Sequence, residues 1–185
     1  MKIEITGQEL AVLGAPTPVS EAAVAALHSN GAVTAGGLPT LLLVSLPLLP
    51  AAEIDVRATL AEAEAMAEAM TTGRVIFLLP AAAGLPMRRH PTFSAAMASA
   101  LATVRTLAMR LAPGVLVNAV GVGAIGAPLV AGDVAMLGHA SVKRPGTVDE
   151  VVAAVLFLAD PVNTYTTGQM LCVDGGWSAG YGRSF

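Results

Sequence analysis

A chain of 185 residues with 55% hydrophobic and 12% charged residues carries about half the charge of an ordinary soluble domain (~25%). The apolar content excludes intrinsic disorder, and ten Lys and Arg against thirteen Asp and Glu give a net charge of −3 with the basic residues scattered, which leaves no nucleic-acid footprint. The mean hydropathy of +0.70 is not that of a membrane span: the richest run, Leu38–Pro50 (LPTLLLVSLPLLP), carries three prolines and is shorter than the ~18 apolar residues a spanning helix needs.

Leu10–Ala15 (LAVLGA) predicts a first strand, and Pro16–Ser29 a helix that stops at Asn30-Gly31. Thr40–Ser45 (TLLLVS) is a continuous apolar stretch between prolines, the pattern of a strand covered on both faces. Ala51–Met70, rich in Ala, Glu, Met and Leu, predicts a helix, with Arg74–Leu79 (RVIFLL) as the next strand. Pro91–Leu111 is a second long helix, charged only at Arg105 and Arg110, and so expected to be buried on most sides. Val115–Val120 predicts a strand, Val148–Ala159 a helix, and Gln169–Val173 a last strand before the turn Asp174-Gly175-Gly176. Strands alternating with helices imply an α/β fold, a doubly wound parallel sheet, in one domain over residues 1–185.

One cysteine, Cys172, allows neither an internal disulfide nor a cysteine metal cluster, and fits a reducing, cytoplasmic setting. His28, His90 and His139 have no partner at helical spacing, so no metal site is expected. The polar, acidic start MKIEITGQEL is no signal peptide. Apolar surface in excess of what a monomer hides, without a membrane segment, predicts a subunit interface.

Four segments carry a resemblance. Asn118-Ala119-Val120 with Gly123, then Lys143-Arg144-Pro145-Gly146-Thr147, Val151–Ala159 and Thr167–Trp177 (TGQMLCVDGGW) follow in the order and spacing of a short-chain dehydrogenase/reductase. The chain resembles that family from about Gly73 to Trp177. The resemblance implies a Rossmann-like sheet, assembly in dimers or tetramers, and hydride transfer with NAD(H) or NADP(H).

The family's chemistry uses a tyrosine as acid/base, a lysine four residues later that favours phenolate, and a serine thirteen residues earlier. Those positions are Phe93, Met97 and Pro80 here. Phenylalanine has no proton to give, methionine no charge, and proline neither hydroxyl nor N–H. No catalytic residue is therefore expected. The phosphate-binding turn is altered too: Leu13-Gly14-Ala15-Pro16-Thr17-Pro18-Val19-Ser20 keeps Gly14 alone of the expected glycines. No Asp or Glu stands between Glu21 and Glu53 to hold the adenosine ribose. The interval from Gly31 to Thr40 is too short for two βα units of ~30 residues each, so the second and third units are expected to be largely lost. The family's Asn-Asn-Ala-Gly motif reads Ser45-Leu46-Pro47-Leu48, its Pro-Gly motif Val122-Gly123, its following threonine Ala127, and the substrate loop between Pro128 and His139 is short.

The expectation is a non-catalytic subunit that assembles with an active family member, as heterodimer or heterotetramer, with NAD or NADP bound by the partner and none by this chain. Ala51–Met70 and Pro91–Leu111 match the helix pair that family tetramers pack together. The glycine-rich end, Asp174–Phe185, holds Trp177, Tyr181, Arg183 and Phe185, which either fray or line a neighbour's pocket. Arg88-Arg89-His90 reads as a solvated run or an anion site. Two alternatives stay open: an NAD(P)-dependent oxidoreductase with atypical residues, and a homo-oligomeric binding or scaffold protein.

Overall fold

The computed structural model describes residues 3–51 and 55–180. Its elements in chain order are β1 (Glu9–Gly14), α1 (Pro18–Ser29), β2 (Val33–Thr34), β3 (Leu41–Ser45), α2 (Arg57–Ala69), β4 (Gly73–Pro80), α3 (Pro91–Leu111), β5 (Val115–Val122), α4 (Val134–His139), α5 (Val148–Ala159) and β6 (Met170–Val173). Single 3-10 turns, Ala81–Ala83 and Trp177–Ala179, follow β4 and β6. The strands form one sheet in the order β2-β1-β3-β4-β5-β6, parallel throughout. The chain winds outward from β1 to β2, then crosses back to β3 on the other side of β1. That reversal is the switch point of a doubly wound, Rossmann-like α/β sheet.

Against the full order of such sheets, 3-2-1-4-5-6, the outermost strand has no counterpart among the described residues. The second strand survives as two residues, Val33 and Thr34, paired with Glu9 and Leu10. Six residues, 35–40, then carry the chain to β3. The sheet is shortened at the edge where the sequence interval is too small.

The apolar runs become strands because both faces of the sheet are covered. All five residues of β3 are buried. Leu42 and Val44 enter the core beneath α2 and α3, with Val75, Phe77 and Val104. Leu41 and Leu43 enter the opposite core, beneath α1 and α5, with Leu27, Ile76 and Val155. Each such Leu or Val stabilises the fold by ~1.5–3 kcal/mol when fully buried.

Helix starts follow local chemistry. Thr17 caps α1 and Thr147 caps α5, each through a reciprocal box with the residue three positions on, Ser20 or Glu150. The sequence expectation starts α1 at Pro16; Thr17 delays it, since its own backbone is extended (φ −133°, ψ 157°). Helix α2 starts at Arg57 rather than Ala51, and 52–54 lie outside the described residues. Helix α3 has the expected bounds but a narrower buried stripe: Phe93, Met97, Ala100, Leu101, Val104, Leu107 and Ala108 face inward. Within this chain its outer face stays exposed, with Met109 at 76%. Within this chain burial covers one side of α3, and the apolar composition of the rest is largely small residues.

Asn118 locks the sheet at its far edge. It is 3% exposed; its Nδ2 donates to the Thr166 carbonyl at 2.8 Å and its Oδ1 accepts from the Gln169 N–H at 3.1 Å. The Val117 N–H donates to Thr167 Oγ1 at 3.0 Å. Among the described residues no helix is long and apolar enough to cross a membrane.

Candidate functional site

In open α/β sheets ligands bind outside the carboxyl ends of the strands, at the switch point. The β1–α1 turn reaches that point through Gly14 at φ +87°. A Cβ there would stand 2.0 Å from the Ser45 carbonyl oxygen, so this glycine serves the close approach of β1 to β3. Beyond it, Pro16 and Pro18 have no N–H. The Thr17 N–H donates to Ser20 Oγ at 2.8 Å and the Ser20 N–H to Thr17 Oγ1 at 3.0 Å. Ser20 is 2% exposed. The Thr17 and Ser20 N–H groups at the start of α1 are thus spent within the turn itself. On the other side of the switch, Thr34-Ala35-Gly36-Gly37 supplies no carboxylate at the end of β2.

Phe93 and Met97 lie one turn apart on α3 and both are fully buried. They share one apolar core with Leu46, Leu79 and Ala83. Pro80 ends β4 and leads into the buried turn Ala81–Ala83. The three positions singled out in the sequence are therefore core residues around the ends of β3 and β4, two of them in direct continuity with the main apolar cluster.

The polar chemistry at this end of the sheet lies farther out. A cleft of about 610 Å³ is lined by Arg88, Arg89, His90, Asp133, His139 and Trp177, among others. His90 stands just before α3 and its Nε2 is 3.4 Å from Asp133 Oδ2. Asp133 also caps α4, its Oδ1 accepting from the Ala135 N–H at 2.7 Å. Both side chains are mostly buried. The fold thus brings together two of the three histidines, which the sequence keeps far apart. Asp133 and α4 were not read from the sequence; the one available signal is an Asp before a short apolar run, the mark of a capped helix start.

A smaller cavity of about 240 Å³ lies beside it, reached by Cys172, Asp174, Arg144 and Glu150. Burial, first among its causes, pushes the Cys172 thiol above its ordinary range. The Arg144 side-chain bond, aided by the Thr147 N–H, holds Glu150 at about 2. Among the described residues no three His, Cys, Asp or Glu side chains are placed to hold a metal ion.

Of the C-terminal segment, Trp177 is half-buried against Ala81, Ala124 and Met136 of its own chain. Tyr181, Arg183 and Phe185 lie outside the described residues.

Comparison with known proteins places these features. A family model described as enoyl-(acyl carrier protein) reductase matches residues 46–178. The chain is 39% identical over 100 residues to glucose 1-dehydrogenase of Gluconobacter oxydans, covering 50% of this chain and 38% of that protein. It is 30% identical over 182 residues to cis-4-hydroxycyclohexanecarboxylate dehydrogenase of Sinomonas cyclohexanicum, covering 86% and 73%. The chain thus spans under two fifths of the first curated relatives it matches. A short-chain dehydrogenase/reductase from Brucella melitensis superposes with a TM-score of 0.70 at 18% identity, over 96% of this chain and 99% of that one. A chain from Agrobacterium tumefaciens solved with bound NADP gives 0.71 at 17%, over 97% and 99%. At that identity these two structures bear on the fold alone.

Proposed function

This chain belongs to the short-chain dehydrogenase/reductase family of oxidoreductases, and from that membership we propose that it is a non-catalytic member which assembles with an active relative. The observation that carries the reading is the state of Phe93 and Met97. Both fill the apolar core without exposure, at the positions where the family motif places its tyrosine and lysine. Side chains of hydrocarbon and thioether neither donate a proton nor hold a charge, and apolar replacement of a buried polar set ranges from neutral to stabilising for a fold.

The residues present do not fit a nicotinamide dinucleotide. A pyrophosphate is held by free backbone N–H groups at a helix start; here two residues of the turn are prolines and two N–H groups are committed to the capping box. The ribose is held by a carboxylate after the second strand, and none follows β2. We therefore assign NAD or NADP to the partner and derive no hydride step on this chain. The partner's active site, in this reading, borrows support from α2, α3 and the segment after Trp177.

A second reading has one observation in its favour: His90 and Asp133 form a polar pair in a cleft at the right end of the sheet, which suits proton transfer by an oxidoreductase with atypical residues. The two are separated by affinity purification of the chain from its native host and by thermal shift with NADH and NADPH. The non-catalytic reading expects an active family member to co-purify in fixed ratio and no shift at millimolar dinucleotide. A shift with either dinucleotide and turnover by the isolated chain would establish the second reading. A well-behaved homo-oligomer with neither partner nor shift would make it a scaffold.

A further inference from the structure

The cleft beside His90 is lined by two arginines, Arg88 and Arg89, with Asp133 as the one carboxylate on its wall among the described residues. Arg57 pairs with Asp55, Arg110 with Glu68 and Arg144 with Glu150. Arg88 and Arg89, both exposed, have no carboxylate within ion-pair distance among the described residues. Both line the same cleft, with Trp177 as an aromatic wall. Two neighbouring arginines on the rim of a concave, partly aromatic surface are suited to an anion, which guanidinium groups hold by charge-assisted and bidentate hydrogen bonds.

A second cavity of about 640 Å³ adjoins the first and shares Pro86, Met87 and Arg88 with it. Its floor is apolar: Ala82, Ala83, Ala95 and Ala98. The ridge between the two is fixed, because the Met87 N–H donates to Ser94 Oγ at 2.8 Å and the His90 N–H to the Met87 carbonyl at 3.1 Å. A cationic cleft and an apolar one on either side of a rigid ridge match an amphipathic acid. Asp133, itself negative on the far wall, sets a limit on charge: it favours a singly charged head over a dianion such as phosphate.

We propose that Arg88 and Arg89 bind the carboxylate of a small organic acid, whose apolar body crosses the Pro86–Met87 ridge into the alanine-floored groove. The site does not depend on whether this chain is catalytic, since neither arginine occupies a position of the family's catalytic or dinucleotide motifs.

Trp177 is the chain's only tryptophan, so its fluorescence reports occupancy of the cleft. The full-length chain is titrated with hexanoate, hexanamide, acetate and inorganic phosphate, with calorimetry alongside so that a silent tryptophan does not pass for absence of binding. Hexanoate is expected to bind saturably, with acetate, phosphate and hexanamide each at least tenfold weaker. The R88A/R89A variant should lose at least tenfold in hexanoate affinity, and R105A, an exposed change on the outer side of α3, should lose none. If R88A/R89A proves misfolded by circular dichroism, R88Q/R89Q replaces it. No saturable binding of hexanoate, equal binding by the double variant, or equal binding of hexanamide would overturn the proposal. Acetate binding as tightly as hexanoate would remove the apolar half of the site, and phosphate binding as tightly would remove the carboxylate assignment. None of these results bears on co-purification of an active relative, so the two readings fail separately.

Discussion

His90 Nε2 and Asp133 Oδ2 lie 3.4 Å apart, joining the residue that opens α3 to the residue that caps α4. The contact fastens the loop before one helix to the loop before another across the carboxyl ends of β4 and β5. It brings two polar residues 43 positions apart to one wall of the cleft.

Asp133 serves both as helix cap and as the partner of His90, and two substitutions separate these roles. D133N keeps an oxygen for the Ala135 N–H and is expected to leave stability nearly unchanged. D133A loses the cap and should cost ~1 kcal/mol. Urea denaturation of both variants checks the difference; equal losses would show that the contact with His90, not the cap, dominates.

A lysine at Met97, where the proposed reading puts the family's charged residue, should harm the fold rather than revive chemistry. Met97 has no exposure and apolar neighbours, so M97K buries an ammonium without a partner and is expected to destabilise by ~3–5 kcal/mol. F93Y adds one hydroxyl to the same core and should cost ~1–3 kcal/mol. Thermal and denaturant melts measure both, and dehydrogenase assays of the double variant should stay at background.

Gly14 is held by geometry. G14A places a methyl carbon against the Ser45 carbonyl at a φ of +87°, and should destabilise by ~1–3 kcal/mol for the backbone strain alone. G36A meets no atom within 4 Å and should be nearly neutral. Parallel melts of the two variants give the comparison.

Glu150 should titrate at about 2, measurable by carboxyl-carbon NMR. Its folded value lies below that of the unfolded chain, so its contribution is present at neutral pH and is lost as pH falls from about 4 through about 2. R144A removes the largest cause and should return the midpoint toward the ordinary carboxylate range. An unmoved midpoint would show that the Thr147 N–H sets it.

Much of this architecture is legible in the residues themselves. The run Leu41–Ser45 is apolar at every position because both sheet faces are covered there, and α3 and α5 begin and end where Pro91, Thr147 and the loss of periodicity place them. What stays hidden is held by tertiary contact. Two residues of β2 carry no pattern of their own and are a strand only through β1. The six residues of α4 are too few for a helical period and owe their turn to Asp133. The His90–Asp133 pair is hidden for the same reason: nothing in the sequence relates position 90 to position 133.

The stub of β2 has a consequence at the rim of the sheet. After the Ala35 N–H bonds to the Leu10 carbonyl, no further backbone bond joins β1 to that side among the described residues, and Val12 is exposed. One flank of β1 is therefore zipped along its length to β3 while the other lies open past Leu10. Deuterium should enter the strand in an alternating rhythm, quickly at Val12 and slowly at Ala11 and Leu13, so that a single strand keeps two clocks.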